Sequence, residues 1–93
     1  NSVSVIDLNS KRVTEVLITS LFPDAPVGST PNSVAISENG KTLYIANADN
    51  NCISVFDISD TRKSTSKGFI PVGWYPTCVR VSGNTMYVTN GKG

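Results

Sequence analysis

Two carboxylates occupy the same place in two related phrases: Asp7 in "NSVSVIDL" and Asp57 in "NCISVFDI". Two aspartates at one site can divide the roles of acid and base. An Asp that closes a short apolar run also accepts hydrogen bonds from N–H groups of the turn that follows. The second role is preferred, because equivalent residues of successive repeats lie far apart. Asn47 and Asn90, after "YIA" and "YVT", recur in the same manner and read as turn-makers, and Tyr44 and Tyr87 recur as packing residues. All six are assigned to the repeating unit.

Residues without a counterpart are free to serve a ligand. Trp74-Tyr75 stands where the other copy has Ser29-Thr30, just before a proline. Two adjacent aromatics in a loop suit a stacking platform for a sugar or an aromatic molecule, or a plug between repeats. Arg80 replaces Ala35 between two valines. A buried guanidinium needs a partner, so Arg80 is expected either to contact a ligand in a central channel or to pair with a carboxylate of a neighbouring repeat. Trp74, Tyr75 and Arg80 are the ligand-binding candidates. Arg62, Lys63 and Lys67 form a basic cluster that reads as a solvated rim, with partner docking as the alternative.

Much chemistry is excluded within these 93 residues. There is no His, hence no imidazole base, no Ser-His-Asp triad and no His-bearing metal site. "NGKG" (Asn90 to Gly93) is too short for a phosphate loop and follows a strand, and no acidic run has calcium-loop spacing. No catalytic residue, metal or cofactor is assigned. A net charge of +1 offers no basic stripe for nucleic acid. No apolar run approaches the roughly 20 residues of a membrane span. Cys52 and Cys78 are too few for a disulfide framework; one bridge, or two buried thiols, both remain open. The chain opens on Asn1 with neither Met nor a signal-like segment, so a piece of a longer or processed polypeptide is expected.

The elements that carry these residues follow from the repetition. "NSVSVIDL" falls on "NCISVFDI" at an offset of 50, "PVGSTPNSVAIS" on "PVGWYPTCVRVS" at 45, and "TLYIAN" on "TMYVTN" at 43. Each phrase is short, rich in Val, Ile and Tyr, and bounded by turn residues, which predicts strands. One unit holds four: a (Ser33–Ser37), b (Thr42–Asn47), c (Cys52–Ile58) and d (about Ser66–Pro71), with Ser2–Leu8 a second strand c and Thr85–Asn90 a second strand b. Asn39-Gly40 suits a type I′ hairpin turn, and Gly83-Asn84 takes the same place with a shorter loop. "ADNN" and "LNSK" supply turns by Asx chemistry. No stretch has helical periodicity. Four-stranded units near this length are what propeller blades show; the alternative is a small antiparallel sandwich.

On these phrases the chain resembles the YVTN-type β-propeller repeat, with its Pro-x-x-Val opening (Pro31 to Val34, Pro76 to Val79), its Tyr-Val-x-Asn centre (Tyr44 to Asn47, Tyr87 to Asn90) and its Val-Ile-Asp close (Val5 to Asp7, Val55 to Asp57). The likeness is weakest over Ser59 to Phe69. It implies an all-β segment of a propeller, about two blades' worth of four-stranded antiparallel sheets: 1–28 the end of one blade, 29–73 a full blade, 74–93 the start of the next. Closure takes at least four blades. The partners implied are therefore the remaining blades of a larger propeller or further copies of the chain, with an unknown ligand or an adjacent domain besides.

Two functions follow as expectations. The first is a non-catalytic ligand-binding, protein-binding or scaffold module. The second is the propeller part of a larger hydrolase. The chain is similar to the propeller part of bacterial exported proteins that join such blades to a phosphoesterase domain, which implies a periplasmic, cell-surface or extracellular location. Lactonase-type seven-bladed propellers share the repeat style, but of their site residues only Arg80 offers a match.

Overall fold

The computed structural model describes residues 1–20, 29–60 and 62–92. Eight strands follow one another: β1 (Ser2–Asp7), β2 (Arg12–Ile18), β3 (Pro31–Ile36), β4 (Thr42–Asn47), β5 (Cys52–Asp57), β6 (Thr65–Pro71), β7 (Pro76–Ser82) and β8 (Thr85–Asn90). They form three antiparallel sheets, β1-β2, β3-β4-β5-β6 and β7-β8. The chain is all-β, and the middle sheet is a complete four-stranded unit flanked by the outer half of one unit and the inner half of another. Pro26 to Gly28, which open the first "PVG" phrase, and Gly93 of "NGKG" lie outside the described residues.

The repetition in sequence is repetition in register. Ala35 sits opposite Tyr44 and Val34 opposite Ile45 in the second sheet; Arg80 sits opposite Tyr87 and Val79 opposite Val88 in the third. Both inner strands carry a register shift just after their first residue, between Pro31 and Ser33 and between Pro76 and Cys78. A proline has no N–H for the ladder, and a bulge beside it lets the strand resume pairing. The hairpin turns depart from type I′. Gly40 and Gly83 have positive φ, whereas Asn39 and Asn84 do not, and type I′ needs both central residues there. Asn39 instead accepts the Lys41 N–H and the Ser37 hydroxyl through Oδ1, which suits the longer Glu38–Lys41 loop.

Alternation along each strand sends successive side chains to opposite sheet faces. On one face of the middle sheet Leu43, Ile45 and Phe56 pack with Leu17, Val3, Val5 and Ile58, joining the first and second sheets. On the other face Ala46 and Ile53 meet Val79, with Ala35, Tyr44, Met86 and Val88 around them, joining the second and third. Val79 and Val34 are matched residues of successive inner strands. Val79, backed by the second sheet, is 0% exposed, and Val34 is 48% exposed. Among the described residues Val34 has only the two-stranded first sheet behind it. Each blade covers one face of the blade that follows it.

Polar contacts key the seams. The Ser33 hydroxyl accepts the Val79 N–H at 3.1 Å, and Glu38 Oε1 accepts the Gly83 N–H at 2.9 Å. Between the first and second sheets Glu15 grips Ser64 with both oxygens, from its N–H and its hydroxyl, each at 2.7 Å.

Candidate ligand-binding face

At one end of the sheets, the loop leading into each inner strand lies against the turn that follows strand b. Ala48 N–H donates to Thr30 O and Asp49 N–H to Ser29 O; in the next unit Gly91 N–H donates to Tyr75 O and Lys92 N–H to Trp74 O. The four bonds make one frame, built twice. Asn51 Oδ1 also accepts the Tyr75 N–H at 2.8 Å, which ties the loop of the third sheet to a turn of the second. Asn1, the counterpart of Asn51, accepts the Ser29 N–H at 3.0 Å. Thus the side-chain oxygens of Asp49 and Asn51 serve neighbouring loops more than their own turn.

Within this frame Thr30 and Tyr75 hold φ of 51° and 59°. Left-handed φ is unfavourable for residues with a Cβ, and a following proline restricts the backbone further. The hydrogen bonds on either side hold the loop there. The side chains that emerge then meet the turn residue opposite: Thr30 donates its hydroxyl to Asp49 Oδ2, and Lys92 Nζ lies 5.1 Å from the centroid of the Tyr75 ring. A carboxylate with a hydroxyl in one blade becomes an ammonium over an aromatic face in the next.

Beside that pair Trp74 is 65% exposed, while Ser29, its counterpart, is 3% exposed. Ser29 is held down by the Thr19 hydroxyl at 2.7 Å. Among the described residues Trp74 has no such anchor, and its indole is exposed on a fixed backbone. Trp74, Tyr75 and Lys92 therefore gather two aromatic rings and an ammonium, with the Asn51 amide fixed beside them on the Tyr75 N–H.

Arg80 is not part of this group. It lies four residues along β7 from Pro76, on the sheet face away from Val79, with Nη1 on Val79 O at 2.9 Å. Among the described residues it pairs with no carboxylate. Asp7 Oδ1 accepts the Asn9 N–H at 2.8 Å, and Asp57 Oδ1 accepts the Ser59 N–H and hydroxyl at 2.9 and 2.6 Å. The Ser59 hydroxyl, then its N–H, hold the Asp57 carboxyl below its usual range, with Lys67 and Lys41 assisting.

Asn47 is fully buried and no turn residue: its Nδ2 donates to Ser54 Oγ at 2.6 Å and to Cys52 Sγ at 3.7 Å, and its Oδ1 has no partner among the described residues. Asn90 is exposed and lies against Gly73, where a Cβ would come within 2.7 Å of its amide nitrogen. Tyr44 packs into the seam; Tyr87, at the matching place, is 63% exposed. Cys52 and Cys78 are free thiols, and burial raises the Cys52 pKa against the opposing Asn47 hydrogen bond. Lys63 and Lys67 are exposed, and Arg62 lies by Asp7 and Thr14 of the first sheet. Among the described residues no three of His, Cys, Asp and Glu converge as metal ligands, and no helix is long and apolar enough to cross a membrane.

Sequence reasoning missed Lys92, Asp49 and Thr30 as members of this face. The signal was present: positions 49 and 92 match across the copies and differ in charge.

A family model described as "Lactonase, 7-bladed beta-propeller" matches residues 1–93. Among solved structures, the hydrazine synthase of Kuenenia stuttgartiensis is similar, with 28% identity and a TM-score of 0.77 over 98% of this chain. The match spans 23% of that protein's chain. A comparison with curated proteins gives no match.

Proposed function

We propose, for a chain that belongs to the Lactonase seven-bladed β-propeller family, that its blades form a ligand-binding face of the complete ring and supply no reacting group. The observation that carries this reading is the exposed Trp74 on a backbone pinned by the hydrogen bond from the Lys92 N–H and by the frame around Tyr75. A rigid aromatic loses little conformational freedom on binding, which makes it an effective anchor. The neighbouring Asn51 amide and Lys92 ammonium suit hydroxyl or carboxylate groups on a flat ring. The ligand class is a sugar or an aromatic ring with polar substituents.

The finer likeness to YVTN-type repeats rests on the phrases around Tyr44 and Tyr87, and with it goes an exported bacterial protein. The family match favours a second reading, in which the closed ring opens lactones with reacting groups supplied by other blades.

The two readings separate in one experiment on the full-length protein. Trp74 fluorescence is followed while glucose, glucuronate, benzoate and δ-gluconolactone are added, and hydrolysis of the lactone is followed in parallel. The binding reading expects a saturable change with at least one ring compound, lost in Trp74→Ala, and no lactone turnover above background. Binding unchanged by Trp74→Ala refutes the platform, and lactone turnover supports the second reading.

A further inference from the structure

The seam between the second and third sheets shows what one blade asks of the next, and the third sheet then asks for something else. In the second sheet the face toward the third carries Ser33, Ala35, Tyr44 and Ala46 in register. Ser33 accepts the Val79 N–H, Ala35 and Tyr44 pack around Val79, and Glu38 accepts the Gly83 N–H. The surface they receive is Val79, Val81, Met86 and Val88, which share the opposite face of β7-β8 by alternation and by their pairing. Val34, Ile36, Leu43 and Ile45 form the same apolar surface one blade earlier.

On the outward face of the third sheet Tyr87 keeps the place of Tyr44, but the residues around it have changed. Cys78 stands for Ser33 and Arg80 for Ala35. The 82–85 turn is two residues shorter than the 37–42 turn and has no counterpart of Glu38. A thiol is a weak acceptor where a hydroxyl took an N–H. An arginine where a small residue packed against valine would force a guanidinium into an apolar seam. One of its five donors is met by Val79 O, and Arg80 is exposed on the face that a following blade would cover. A burial of that kind without an acceptor is heavily unfavourable, and removing one partner of a buried ion pair is strongly destabilising.

We infer that the blade following β7-β8 breaks the apolar pattern with an Asp or Glu at one of the four positions matching Val79, Val81, Met86 and Val88, and that this carboxylate pairs with Arg80 across the seam. The occupant of this face is thus the next blade of the same ring, recognised by charge. Such a seam gives blade order a chemical basis. A blade with the usual apolar surface fits behind Ala35 and Ser33 but leaves Arg80 unpaired, so it is rejected here.

Reading the following repeat is the first test, and no acidic residue at those four positions overturns the inference. The second test uses the full-length protein and chemical denaturation. Arg80→Glu is expected to lower the unfolding midpoint clearly, and Arg80→Met to lower it as well, since either leaves the carboxylate unpaired. Combining Arg80→Glu with Arg at the facing acidic position is expected to restore at least half of the lost midpoint. No recovery in the charge-swapped variant refutes the pair. If Arg80→Met keeps the wild-type midpoint and weakens only the ligand-induced Trp74 fluorescence change, Arg80 is a ligand contact and the seam proposal fails.

Discussion

Removing the Ser33 hydroxyl isolates the polar lock of a seam. β7 is an edge strand of its sheet, so alternate N–H groups point away from β8. The Val79 N–H finds its acceptor in Ser33 Oγ of the neighbouring sheet at 3.1 Å, and Val79 itself is fully buried. Ser33→Ala removes the acceptor of this part-buried bond. A buried donor left unmet costs about 1–3 kcal/mol. That corresponds to roughly 5- to 150-fold in an equilibrium constant. The assay is urea denaturation of the full-length protein, with amide hydrogen exchange read at Val79. The midpoint should fall at unchanged slope, which marks lost stability with no change in compactness, and Val79 exchange should quicken within the stated range. Ser33→Cys, which imitates Cys78, should fall between Ser33→Ala and wild type. A loss below about 0.5 kcal/mol, the scatter of ordinary surface changes, together with unaltered Val79 exchange, would refute the lock.

Val79→Ala removes two carbon groups from a fully buried site; at about 0.8 kcal/mol per CH2 with a cavity term added, a loss of about 2–3 kcal/mol is expected in the same denaturation assay. An effect near zero would mean that the third sheet does not back the second. Asp57, held below its usual range chiefly by the Ser59 hydroxyl, contributes stability that is complete above the unfolded carboxyl pKa and lost as pH falls through the lowered folded one. The stability gap between wild type and Asp57→Asn should therefore be flat near neutrality and shrink on acidification; a gap that widens in acid contradicts the cap. Cys52, buried with a raised pKa, should resist a thiol reagent at pH 8 until the protein is denatured, as read by mass of the Cys52 peptide.

The strands and their order were legible because the phrases around Asp7 and Asp57, Pro31 and Pro76, and Tyr44 and Tyr87 repeat, and because alternation fixes which neighbours share a face. β4 and β8 carry the bounds expected of them, and β3 and β6 begin one or two residues earlier. What the text of the chain hides is contact at a distance. Ser33 with Val79 and Glu15 with Ser64 span 46 and 49 residues, and no local pattern marks them. The turns failed for a different reason. Asn39-Gly40 is read as type I′ from a dipeptide, but the four-residue loop and the Asn39 Oδ1 bonds select another geometry. For the candidate face, Trp74 and Tyr75 stood out by their mismatch with Ser29 and Thr30. The left-handed backbone at Thr30 and Tyr75 did not, because residues before proline are expected to be extended.

The most direct measurement is an experimental structure of the full-length ring, superposing Thr42–Asn47 on Thr85–Asn90. Tyr44 and Tyr87 should then occupy equivalent places in two separate, adjacent sheets, opposite Ala35 and Arg80 respectively, with the Ser33 hydroxyl on the Val79 N–H between them. Finding β7 or β8 hydrogen-bonded into the β3-β4-β5-β6 sheet, as in a two-layered sandwich, would contradict the stacking of successive blades.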